Sequence, residues 1–139
     1  KPFSDMEEAL ARGGQLGSFE AVFSPRAVNG LPKKLWNRDN GQIDLETAKA
    51  WEAYDIRLQL EKNWPNLANQ LAGKIHVYMG DKDTFYLEGA TQLLQQSLKK
   101  LGSDAVVELF PGKDHSNLLD AALTDRMKAE MAAALSKVR

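Results

Sequence analysis

Hydrophobic positions change their spacing near Gly73. Upstream they recur in short helical stretches broken by glycine and proline; downstream, two β-rich runs alternate with two longer helical ones. The runs are Lys74–Met79 and Ala105–Phe110, ending respectively at Gly80-Asp81-Lys82-Asp83-Thr84 and at Pro111-Gly112. Between them Leu87, Ala90, Leu94, Leu98 and Leu101 mark one face of a long helix that Gly102 closes. A last helix, capped by Thr124, would carry Met127, Met131 and Leu135 inward. Strand–helix–strand with a helix of this length implies a right-handed crossover and two adjacent parallel strands. His76, mid-strand between Ile75 and Val77, reads as a buried, hydrogen-bonded structural histidine.

The upstream part reads as helix and loop. Ser4-Asp5-Met6-Glu7 has capping-box spacing and predicts a short helix stopping at Gly13-Gly14. Phe19, Val22 and Phe23 form an apolar cluster without period, and Pro25, Gly30 and Pro32 make the next stretch a loop. Asp39-Asn40-Gly41 is a turn signal, flanked by Leu35, Trp36 and Ile43 as a small hairpin. Asp44 caps a predicted helix from Leu45 to about Leu60, with Ala48, Trp51, Tyr54 and Leu58 as its apolar stripe. Trp64-Pro65 opens another, with Leu67, Ala68 and Leu71 inward and Gly73 as its stop.

Composition narrows the function classes. The formal net charge of −1 and interleaved acids and bases leave no basic stripe, so no nucleic-acid partner is expected. Cysteine is absent, which excludes disulfides, thiolate metal sites and a cysteine nucleophile within the chain, while leaving the compartment open. Two histidines separated by a long helix, without an i,i+4 pair, do not make a metal site. No apolar run is long enough to span a membrane, and no membrane partner is expected. Neither Gly-x-Gly-x-x-Gly nor Gly-x-x-x-x-Gly-Lys occurs, so no nucleotide cofactor is implied. The chain opens at Lys1 without a Met or a leader, which reads as an excised or processed piece.

Chemistry concentrates in two loops. In open parallel sheets, functional side chains collect just past the carboxyl ends of the strands. The segments Gly80–Tyr86 and Pro111–Asn117 occupy that edge, so an acid from the first can meet His115 from the second. Such a pair makes a general base, because the carboxylate fixes one imidazole tautomer and stabilises the imidazolium. Taken alone, Asp83 could simply cap the helix after Thr84, and a loop histidine is ordinarily just solvated. Asp81 reads as a surface turn residue, and the three tryptophans sit at core spacing.

These residues resemble the α/β-hydrolase superfamily, in its esterase branch. There the penultimate strand ends in a Gly-x-x-Asp loop, matching Gly80 to Asp83, and the last strand in a Gly-x-x-His loop, matching Gly112 to His115. The order acid, helix, strand, histidine, final helix agrees with that superfamily. The resemblance covers roughly residues 63 to 139 and is densest over Tyr78–Leu87. It implies an α/β fold: a partial α/β-hydrolase with parallel strands over residues 74–79 and 105–110, a crossover helix, a C-terminal helix and a mainly helical N-terminal segment. It also implies Asp83 and His115 as catalytic acid and base, a small-molecule ester substrate for the parent enzyme, and no cofactor or metal.

One departure is decisive. None of Ser4, Ser18, Ser24, Ser97, Ser103, Ser116 and Ser136 lies in a Gly-x-Ser-x-Gly elbow; Gly17-Ser18 comes nearest, but Phe19-Glu20 follows it. The expectation is therefore a single domain over residues 1–139 that forms the C-terminal fragment of a larger α/β-hydrolase, 1–73 leading into 74–139, with the nucleophile upstream. A non-catalytic α/β binding or oligomerisation module is the competing reading. With one strand on one side only, Lys74–Met79 would keep a free edge, which allows a homo-oligomer by strand addition or by a symmetric dimer burying the inner sheet face. The alternative is that residues before Gly73 fold back over that face, with Trp36, Trp51 and Trp64 filling the gap.

Overall fold

The protein is seen in a computed structural model that describes residues 2–11 and 14–136. Two compact units divide it, Lys1–Gln59 and Leu60–Arg139.

The first unit holds helices α1 (Pro2–Ala11), α2 (Gly14–Phe23) and α3 (Leu45–Trp51), with a 3-10 turn at Glu52–Tyr54. α1 starts ahead of Ser4, so the capping box does not form. Glu7 instead accepts the amides of Gln15 and Leu16 at 2.8 and 2.9 Å, satisfying the exposed N–H groups that open α2. α2 was not expected, because its glycines and irregular apolar spacing hide it. Of the predicted Gly13-Gly14 stop, Gly13 lies outside the described residues and Gly14 begins α2. Its Glu20 is buried, paired with Arg38 at 2.8 Å and bonded to the Leu35 amide at 2.8 Å. The hairpin is reduced to a single Trp36–Ile43 bridge around the Gly41 turn. Phe23 packs on Trp51 and Tyr54 with ring centroids 5.4 and 5.1 Å apart, and the Trp51 indole donates to Ser24 Oγ.

The helix expected to run unbroken to Leu60 stops early. Asp44 caps α3 through the Thr47 amide as anticipated, but Asp55 turns extended and its carboxylate accepts the Leu58 amide at 2.9 Å. A fresh helix, α4 (Ile56–Leu71), starts there and runs straight through Pro65. Trp64-Pro65 thus lies inside a helix instead of opening one. A mid-helix proline costs about 3 kcal/mol; here Leu60, Trp64, Leu67 and Leu71 bury the inner face of the same helix and offset that cost.

In the second unit β1 (His76–Gly80) and β2 (Val106–Phe110) pair in parallel, His76 opposite Val106 and Gly80 opposite Phe110. α5 (Leu87–Lys100) connects them, closed by Gly102 beyond a last turn carrying Lys99 and Lys100. One sheet face, with Ile75, Val77, Ala105 and Val107, packs on Leu60, Trp64, Leu67 and Leu71 of α4 and on Leu94 and Leu98 of α5. Leu87 and Ala90, predicted on the inner stripe of α5, are exposed, and Thr91 and Ser97 are buried in their place.

The other face meets α6 (Ala121–Ser136). Asp120, not Thr124, caps α6, accepting the Leu123 amide at 3.0 Å. Only Leu123 is buried on α6, whereas Met131 and Leu135 are exposed instead of inward. They line a groove of about 510 Å³ with Met127, Ala134, His76 and Tyr78. His76 corrects its reading too: it is hydrogen-bonded, to Glu130 at 2.9 Å, but a third of its side chain is exposed. No helix among the described residues is long and apolar enough to cross a membrane.

Candidate functional site

Past the ends of β1 and β2 the main chains stay interlocked. Asp81 N–H donates to the Phe110 carbonyl at 3.1 Å and Lys82 N–H to the Lys113 carbonyl at 3.0 Å. A Cβ on Gly80 would lie 2.1 Å from the Lys113 carbonyl oxygen, so this strand end requires glycine. That close approach sets the two loops side by side.

Asp83 then uses its two oxygens differently. Oδ1 accepts the Phe85 amide at 2.8 Å and, more weakly, the Leu87 amide at the start of α5. Oδ2 meets His115 Nδ1 at 2.9 Å. Asp83 is not the N-cap of α5, which falls at Tyr86 without a side-chain cap bond; its Oδ1 holds the turn ahead of the helix while Oδ2 pairs with the histidine. Only 1 % of the Asp83 side chain is exposed, against 53 % for His115. Burial, the largest influence, opposes ionisation of Asp83. The Phe85 amide, the His115 imidazole and the Leu87 amide outweigh it, holding the carboxyl below its ordinary range.

An ionised carboxylate can only accept, so the bonded Nδ1 carries the proton and Nε2 of the neutral ring is left as an acceptor. The Phe85 ring stands edge-on to the imidazole, centroids 4.8 Å apart and planes at 77°. Asp114, next to His115, accepts the Ser116 amide and hydroxyl and the Asn117 amide, so the histidine turn is braced from within. Those same bonds hold the Asp114 carboxyl below its ordinary range, the Ser116 hydroxyl foremost.

Two features escaped the sequence. Asp81, read there as a surface turn residue, accepts the Gly112 amide at 2.7 Å and so joins the two loops. Tyr86 holds φ at 60°, a left-handed conformation costly for a side chain of this size, immediately ahead of α5. Ser18, the nearest approach to an elbow serine, sits inside α2 and donates back to the Gly14 carbonyl at 3.0 Å. No group of three or more histidine or acidic side chains able to hold a metal occurs among the described residues.

A parallel strand pair joined by a crossover helix, with an acid loop and a histidine loop at its carboxyl edge, is a partial fold of the α/β-hydrolase type. The model of the dienelactone hydrolase family matches residues 47–138, more than half of the chain. The chain belongs to that family. No curated protein and no solved structure matches it.

Proposed function

We propose that this chain supplies the acid and base of a carboxylic ester hydrolase, with a nucleophilic serine contributed by residues upstream of Lys1. The observation that carries the reading is the 2.9 Å bond between a buried, ionised Asp83 and a half-exposed His115. Nε2 of His115 would take the serine proton as the hydroxyl oxygen attacks the acyl carbon, and would return it to the departing alkoxide. Water then repeats the exchange on the acyl-enzyme, while Asp83 stays ionised and stabilises the imidazolium. The serine is sought upstream because no Gly-x-Ser-x-Gly frame exists among residues 1–139 and because nucleophile, acid, base is the order of this fold.

Expressing the chain joined to its own upstream coding sequence tests this. The extended protein should hydrolyse p-nitrophenyl esters and label once with a fluorophosphonate. His115→Gln or Asp83→Asn should each lower kcat by a factor on the order of 10³–10⁴. Residues 1–139 alone should turn over no ester. Activity that survives His115→Gln would overturn the base assignment, and labelling by iodoacetamide instead of the fluorophosphonate would overturn the serine. Hydrolysis by residues 1–139 that disappears in Ser18→Ala would place the nucleophile within them.

A further inference from the structure

Among the described residues, two side-chain hydrogen bonds cross between the acid loop and the histidine loop: His115 to Asp83, and the Gly112 amide to Asp81. The second lies at the root of both loops, two residues before Asp83 and three before His115. It is short, at 2.7 Å, as expected for an amide donating to a carboxylate. Gly112 itself sits at φ +70, where the chain turns out of β2, so Asp81 grips the histidine loop at its point of departure. Beyond that point the Ser116 amide and hydroxyl and the Asn117 amide all close on Asp114, so the turn that carries His115 is tied together from within.

We propose that Asp81 is a positioning residue for the Asp83–His115 pair, holding the two loops at the spacing the pair needs. The proposal rests on reading that pair as acid and base. The Asp81–Gly112 bond is solvent-exposed, so water can satisfy the Gly112 amide when the carboxylate is removed, and the fold should tolerate the loss. Position is another matter. A shift of about 1 Å would carry a 2.9 Å contact outside hydrogen-bonding range, and a misplacement of that size costs about 10² in rate at a reacting centre. Asp81 touches neither the imidazole nor a reacting atom, and acts only through the loop.

The test is nuclear magnetic resonance on the chain of residues 1–139, following the His115 Nδ1–H proton, the ring ¹⁵N shifts and the Gly112 amide. In the unaltered chain the ring should be the Nδ1–H tautomer, with a downfield, slowly exchanging proton. Asp81→Ala should shift the Gly112 amide upfield, and should exchange-broaden the Nδ1–H signal away while the ring nitrogens move toward mixed tautomers. Asp81→Asn, whose amide oxygen accepts the same bond, should restore the signature. Asp83→Asn should abolish the signature while leaving the Gly112 amide in place. Should Asp81→Ala fail to fold, Asp81→Glu keeps the charge but moves the acceptor by about 1.5 Å, and should disturb His115 in the same direction. A Gly112 amide that shifts in Asp81→Ala or Asp81→Glu beside an unchanged His115 signature would overturn the positioning role. An Asp83→Asn chain that keeps the signature would overturn the acid–base reading instead, so the two failures are distinguishable.

Discussion

At the scale of single residues, Gly80 decides how close the two loops can come, and Glu130 organises the opposite face of the sheet. Glu130 accepts from Tyr78 Oη, from Arg126 at 2.8 Å and from His76 at 2.9 Å. Arg126 also forks onto Glu108 with two 2.7 Å bonds and lies 5.0 Å from the centre of the Tyr78 ring. Led by the Tyr78 hydroxyl and then by Arg126, these partners pull the Glu130 carboxyl from an ordinary 4.5 down to about 2. Because the folded value is the lower one, the stability it contributes is complete above about pH 4.5 and is lost as pH falls toward 2. Urea unfolding at a series of pH values should therefore give Glu130→Gln a lower midpoint at pH 7 and a shallower acid limb than the unaltered chain. Two acid limbs that run parallel would show that Glu130 is not titrating in this window. Asp83 and His115 were legible in the sequence because each stands in a short glycine-led loop directly after a β-rich run. Asp81 and Glu130 were not, since their partners are fixed by strand register and by which turn of α6 meets the sheet, neither of which leaves a local pattern.

At the scale of elements, the sequence signals for caps outcompeted each other in ways only the packing resolves. Helix α4 starts at Asp55 because that carboxylate satisfies the Leu58 amide, and the Leu60–Trp64–Leu67–Leu71 face then finds the sheet. The stronger-looking signal, Trp64-Pro65, falls in the interior, where tertiary burial overrides local preference. Asp55→Ala should lower stability by about 1 kcal/mol, read as a drop in urea midpoint without a change in slope. An unchanged midpoint would mean that another group opens α4. The extent of the sheet and of α5 was legible to within two residues, although not the full inner stripe of α5: the expected strands over 74–79 and 105–110 are observed at His76–Gly80 and Val106–Phe110. Period-two and helical patterns are strongest where one face is fully covered, and Leu98 and Val107 are both buried. α2 and the outer half of α6 were misread for the converse reason, since neither presents a well-buried stripe.

At the scale of the molecule, β1 is hydrogen-bonded to β2 alone among the described strands, leaving its other edge unpaired. Beside it the groove lined by Met127, Met131, Ala134 and Leu135 presents apolar surface. A two-stranded sheet is marginal, and an open edge next to apolar side chains readily accepts another strand. We propose that residues 1–139 in isolation associate through this edge. Light scattering across a range of concentrations should show mass rising with concentration, and a strictly monomeric species at high concentration would defeat the proposal. The interlocked strand ends carry a different consequence, one for how the molecule comes apart. The main-chain bonds from Asp81 to Phe110 and from Lys82 to Lys113 prolong the β1–β2 ladder beneath the loops. The roots of both loops therefore belong to the same cooperative unit as the strands, not to a separately fraying surface. Amide exchange at Asp81 and Lys82 should accordingly track that of the strands, while the half-exposed His115 side chain remains free to move locally against Asp83.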